Sequence, residues 1–173
     1  IIIPGNHDLN MNNKNRLDSL TPIICDLPKY YPIHYLDHTG LWLMNNLLFC
    51  HASIFDYSII DMVVINLELK RLNATYSLNI ENVVKVALYH GRVNGAQLFN
   101  GIGISGEVNT STKKTVTPSN FDGYDLALLG DIHKHQFLRD GHSCGYAGSL
   151  IQQNLGEDID NHGLIKWDVN ARK

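Results

Sequence analysis

Apolar residues fall along this chain in short runs, and their spacing predicts a mixture of strands and helices. Val83 to Tyr89 and Leu126 to Leu129 are nearly unbroken apolar stretches of strand length, the pattern of strands buried on both faces. Ile1 to Ile3 reads as the end of another buried strand. Leu41 to Met44 and Leu47 to Cys50 flank Asn45-Asn46, which predicts a hairpin with a two-residue turn. Between Tyr57 and Leu72, the apolar positions Ile59, Ile60, Val63, Val64 and Leu67 recur at helical spacing, although β-branched residues weaken a helix. A short helix is expected across Lys14 to Leu20, after which Pro22, Pro28 and Pro32 break up regular structure. Asn100 to Asn120 is rich in Gly, Ser, Thr and Asn and reads as a long surface loop. Phe137 to Leu138, Tyr146 to Ala147 and Leu164 to Val169 read as later strands. Buried strands mixed with helical segments predict an α/β fold.

The 173 residues suffice for one domain with a proper core, so residues 1–173 are expected to form a single domain. A net charge of -3 and a pI near 6.3 leave no basic footprint for nucleic acid. Nucleic acid remains open as a partner, because bound cations would add charge that this count omits. Cys25, Cys50 and Cys144 are odd in number, far apart and without CxxC spacing, which predicts free thiols in a reducing, intracellular compartment. No apolar run approaches the roughly 20 residues of a membrane span, and no signal peptide is visible. An apolar run at the first residue, with no Met before it, predicts that the domain is truncated at its N-terminus.

Three polar clusters each follow directly on an apolar run. Ile-Ile-Ile-Pro precedes Gly5-Asn6-His7-Asp8, Val-Ala-Leu-Tyr precedes His90-Gly91, and Leu-Ala-Leu-Leu precedes Gly130-Asp131-Ile132-His133-Lys134-His135. Ligand crevices of α/β sheets lie at the carboxyl ends of the strands, so these loops are placed to converge on one site. Imidazole, carboxylate and amide oxygen together suit manganese, iron or zinc. Histidines and aspartates on separate, sequence-distant loops are typical of catalytic metal sites with open positions. Gly5, Gly91 and Gly130 would let the backbone turn sharply beside the metals. Taken singly, each cluster has a plainer reading: a histidine after a strand is usually a satisfied polar residue, and Gly-Asn-His-Asp is turn-forming.

The ordered set resembles the calcineurin-like metallophosphoesterase superfamily. Gly5-Asn6-His7-Asp8 is similar to its GNH[DE] motif, His90-Gly91 to its later histidine motif, and Gly130-Asp131-Ile132-His133 to its GHxH motif. Tyr89-His90-Gly91, Leu129 to Lys134 and Tyr146-Ala147-Gly148-Ser149-Leu150 look like the SbcD-type DNA repair nucleases. They look closer still to the recombination-endonuclease subunits of large phages and giant viruses, with Gly148 to Asn154 similar to a core segment of that group.

The resemblance implies a four-layer αββα sandwich around a dinuclear site, most readily two Mn²⁺ ions, with iron or zinc as alternatives. Asn6 and His90 would bind one metal, joined by Asp131 where the family has a histidine, and His133 would serve the other. His7 would act as general acid on the leaving alkoxide, worth typically about 10²–10⁴ in rate. Asp8 would hold the His7 ring, or else cap a helix. A second register would pair His133 with His135. His51 follows a strand but reads better as a core or surface histidine, and His34, His38, His142 and His162 as ordinary loop histidines. The family's opening Asp-x-His motif and bridging Asp are expected upstream of residue 1.

The implied function is a metal-dependent DNA repair or recombination nuclease subunit. Its implied partners are DNA, an SMC-like ATPase and a second copy of the chain, in the cytoplasm or, for a viral protein, the nucleus or viral factory. A phosphatase or phosphodiesterase acting on a small nucleotide or phosphoprotein would use the same site. A non-catalytic assembly module is the third reading. Arg92, Lys113, Lys114, Lys134 and Arg139 are candidate phosphate contacts, although scattered surface charge explains them equally.

Overall fold

In the computed structural model, residues 1–10, 13, 16–27, 30–55, 57–109 and 113–172 are described. The architecture is mixed α/β, built on one six-stranded sheet in the order β1-β2-β3-β4-β6-β5. Strands β2 (Leu47–Ala52), β3 (Val84–His90), β4 (Leu126–Gly130) and β6 (Cys144–Tyr146) run parallel to one another. Strand β1 (Gly40–Met44) pairs antiparallel with β2, and the two-residue β5 (Gln136–Phe137) pairs antiparallel with β6.

The β1–β2 hairpin closes as its sequence predicts. Met44 pairs with Leu47, and Asn45 takes the left-handed conformation with φ 56°. Asparagine tolerates that region better than most residues, which suits it to a two-residue turn.

Apolar alternation along β3 buries both faces of the sheet. Val84, Val86 and Leu88 join Leu36 and Leu126 on one side, against Trp42, Phe49, Trp167 and Val169. Ala87 and Tyr89 join Cys50, Ala127, Leu129, Tyr146 and helix α2 (Met62–Tyr76) on the other. A period of two places successive side chains on opposite faces, so a nearly continuous apolar run covers both.

Helix α2 (Met62–Tyr76) begins at Asp61, whose carboxylate accepts the Val63 N–H at 2.7 Å. It ends at Ser77, which takes a left-handed conformation (φ 53°) as its N–H reaches Asn73 O. The helix is where the spacing predicts one, but its buried face differs. Ile65, Leu69 and Leu72 are buried, whereas Val63, Val64 and Leu67 are exposed. The chain carries two apolar stripes here. Ile59 and Ile60, which extended the predicted stripe, lie before the first turn and pack on the core from there.

Other expectations are corrected. The helix expected from Lys14 starts outside the described residues. Its described part, Arg16 to Leu20, is not helical, and helix α1 (Thr21–Ile24) follows instead. Pro22 sits in the first turn of α1, where a missing N–H costs nothing, so it opens a helix rather than interrupting structure. Pro28 lies outside the described residues. Ile2 makes a single parallel bridge to Tyr35, and Ile1 is exposed. Leu164 to Val169 forms no strand, though Trp167 and Val169 pack on the core. The segment from Asn100 to Asn120 is tied down more than a surface loop. Val116 is buried, and its N–H and C=O bond Glu107 O and Asn94 N.

Cys50 and Cys144 are buried, with thiol pKa values pushed up by that burial to about 12 and about 11. Both stay protonated and unreactive near neutral pH. Cys25 is exposed, and all three thiols are free. Among the described residues, no helix is long and apolar enough to cross a membrane.

Candidate metal centre

Parallel pairing sets the site's frame. His90, the last residue of β3, is the register partner of Gly130, the last residue of β4. Both strands therefore end level at the carboxyl edge, and Asp131 follows at once. The loop carrying Asn6 and His7 comes over this edge.

Polar atoms of three side chains meet there. Asn6 Oδ1 lies 3.3 Å from His90 Nε2, Asn6 Nδ2 donates to Asp131 Oδ1 at 3.2 Å, and His90 Nε2 is 3.7 Å from that same carboxylate oxygen. Donors about 2.0–2.2 Å from one small cation stand roughly 3–3.5 Å from each other. The two separations from His90 Nε2, to the Asn6 amide oxygen and to the Asp131 carboxylate, are therefore close to the spacing such an ion requires. The donor set is an amide oxygen, an imidazole and a carboxylate, which suits manganese, iron or zinc. Among the described residues, no three His, Cys, Asp or Glu side chains form a metal cage by themselves. Any cation held here would need the Asn6 amide and further ligands, so the fit is to one open face of a site.

The His90 ring is clamped between two backbones. A Cβ on Gly5 would stand 2.8 Å from its Cε1, and a Cβ on Gly130 would stand 2.8 Å from its Nδ1. Neither glycine, nor Gly91, has a positive φ. Their predicted role in sharp turning is thus replaced by one of room: any side chain at residue 5 or 130 would displace the ring. Beneath it, Tyr146 Oη donates to Gly91 O at 2.8 Å and accepts from Val93 N at 3.0 Å, fixing the loop that leaves β3.

Burial lowers the pKa of His90, opposed by the nearby Asp131 and Asp8 carboxylates and reinforced by His7 and His133. The ring is held neutral, the state that can bind a metal. The same set of influences places His7, Asp8, Asp131 and His133 around it.

Asp131 is itself strained, with φ at 94°. A non-glycine residue held in such a region costs on the order of 1–3 kcal/mol, and strain of this kind clusters at functional sites.

Each predicted residue has a definite place. Asn6, His7, His90, Asp131 and His133 all line one cleft of about 180 Å³. His7 is exposed at the junction of this cleft with a broader one of about 880 Å³, which also holds Asp8 and Arg16. Asp8 accepts Gly5 N at 2.8 Å and Ser19 Oγ at 3.2 Å, so its carboxylate braces the loop, and the turn at residues 6–8 is not a helix for it to cap. His135 Nδ1 lies 3.2 Å from Tyr146 O. His51 is buried on β2 with Nδ1 2.9 Å from His38 O.

Of the candidate phosphate contacts, Arg92 is paired with Glu107 and Arg139 with Asp122 and the carbonyls of Pro118 and Phe121. Lys134 reaches Gln97 Oε1 at 3.3 Å, while Lys113 and Lys114 are exposed. Two residues were missed. Arg16 gives the cleft beside His7 a cation. Glu157 is buried and lies 2.7 Å from His133 Nδ1. Neither stands in a motif, and Glu157 is one acid among several in a polar stretch, so only the fold brings it to the site.

No protein-family model matches the chain. It is 37% identical over 169 residues, 98% of its length, to an uncharacterized protein of Acanthamoeba polyphaga mimivirus. The chain spans 12% of the length of that giant-virus relative, so the kinship covers one segment of a much longer polypeptide.

Proposed function

We propose that this chain belongs to a calcineurin-like metallophosphoesterase domain, acting in a DNA repair or recombination nuclease subunit. The observation that carries this reading is the convergence of Asn6, His90 and Asp131 to within 3.2–3.7 Å at the carboxyl edge of the sheet. In this reading the observed sheet is one of the two inner layers of a four-layer sandwich.

Asn6, His90 and Asp131 would hold one divalent cation and His133 would contribute to a second, with Mn²⁺ the best fit. Such ions neutralise phosphate charge and supply a nucleophile at neutral pH. The chain's own residues do the rest. His7, exposed at the meeting of two clefts, would give a proton to the leaving oxygen. Asp8 holds the backbone that carries His7. Arg16 offers charge to a phosphate further along the strand. The remaining donors would be the family's Asp-x-His pair and bridging aspartate, and an SMC-like ATPase would be the working partner.

The test uses the protein in its full reading frame, given linear and circular DNA and a chromogenic phosphodiester, in Mn²⁺ and in EDTA. Metal-dependent DNA cleavage that disappears in His7→Ala, with metal binding retained, is the expected result. Turnover of the small ester alone would favour a phosphatase or small-nucleotide phosphodiesterase, and inactivity on both would sink the enzymatic reading.

A further inference from the structure

We propose that Glu157 is a positioning residue: it takes the Nδ1 proton of His133 and so presents that ring's Nε2 lone pair to the cleft. The Glu157 side chain is 3% exposed and that of His133 is 51% exposed, so the buried carboxylate is the fixed partner and the ring the one being aimed. Their closest atoms are 2.7 Å apart.

Glu157 is itself held from several directions. Its Oε2 accepts Ser149 Oγ at 3.1 Å and Gln153 N at 2.9 Å, and its Oε1 also accepts Asn154 Nδ2 at 2.9 Å. Donors from three neutral groups converge on its two oxygens, so Glu157 serves as an acceptor. The proton in the His133–Glu157 bond must then sit on His133 Nδ1, since the bond made by one ring nitrogen sets the state of the other. Nε2, on the opposite edge of the ring, is left with its lone pair. Glu157 and His133 also share a cleft of about 330 Å³ that adjoins the one at Asn6 and His90 through Asp131, Ile132 and His133. Ser149 N bonds His133 O at 2.9 Å, so the segment bearing Glu157 is anchored to the segment it orients.

The consequence for metal affinity rests on the reading of His133 as a ligand, but the ring's tautomer does not. The experiment combines ¹⁵N NMR of the histidine rings with Mn²⁺ titration calorimetry on the whole protein, Glu157→Gln and Glu157→Ala. The unmutated protein should show His133 protonated at Nδ1. Glu157→Ala should shift the proton toward Nε2 and weaken Mn²⁺ binding about 10–100-fold. Glu157→Gln should lose less, because its amide oxygen can accept the same bond. An Nε2-protonated His133 in the unmutated protein would overturn the proposal even if the variants fail to fold, as would an unchanged tautomer in folded Glu157→Ala. Failure of Mn²⁺ to bind any form, with the Nδ1 proton in place, would support the positioning and defeat the metal reading of the site instead.

Discussion

Asn6 and His90 stand 84 positions apart in the chain, yet the Asn6 amide oxygen lies 3.3 Å from the His90 Nε2. The contact is made possible by Gly5, whose missing side chain leaves space for the imidazole, and by the level ending of β3 and β4.

That clamp gives a direct prediction. Gly130→Ala introduces a Cβ 2.8 Å from His90 Nδ1, and the ring must move. Mn²⁺ affinity should fall at least about tenfold while circular dichroism stays unchanged, because the substitution disturbs an orientation that supports metal binding. Unchanged calorimetric affinity would mean that His90 is not a ligand.

Asp131 carries opposed demands of stability and chemistry. Asp131→Gly releases the strained φ and should raise stability by about 1 kcal/mol, read as a higher Tm, while abolishing Mn²⁺ binding. Asp131→His should instead keep activity and shift metal preference, measured by comparing turnover in Mn²⁺, Zn²⁺ and Fe²⁺.

The two stripes of α2 separate cleanly by mutation. Ile65 is fully buried, so Ile65→Ala should cost about 2–5 kcal/mol in urea unfolding. Val64 is half exposed, and Val64→Ala should stay within roughly 0.5 kcal/mol. Reversed magnitudes would show that the helix packs by the other face.

Asp18 should mark the acid limb of stability. Burial raises its pKa, but bonds from the Thr21 hydroxyl and from the Thr21 and Leu20 N–H groups outweigh this, leaving it below the ordinary 3.8. A depressed carboxylate stabilises the fold above its unfolded value and loses that contribution as pH falls through its folded value. Asp18→Ala should therefore lower stability by about 1–3 kcal/mol at pH 7. The deficit should shrink below pH 3.8, and a deficit independent of pH would contradict the assigned charge.

Much of this was readable from residue order. The Asn45-Asn46 turn, the apolar runs of β3 and β4 and the polar clusters after them are local signals, and local signals survive folding. The face of α2 was not readable, since Val63, Val64 and Leu67 match the helical period as well as Ile65, Leu69 and Leu72, and only tertiary packing chooses. Glu157 was invisible for a related reason: its partner His133 is 24 positions away, and the bond depends on how the intervening segment folds back. Gly5 and Gly130 were noticed, but as points where the backbone turns sharply, because a close approach between distant segments leaves no trace in either segment alone.

The level ending of β3 and β4 also governs where this protein can change length. A single residue inserted within β4 would invert the facing of every side chain after it and carry Asp131 away from His90. Residues added to the connection between the strands, from Gly91 to Asp125, leave the register of His90 and Gly130 untouched. Insertions and deletions among relatives should therefore gather in that connection and be missing from the strands, so that the loop over the carboxyl edge varies while the spacing of Asn6, His90 and Asp131 does not.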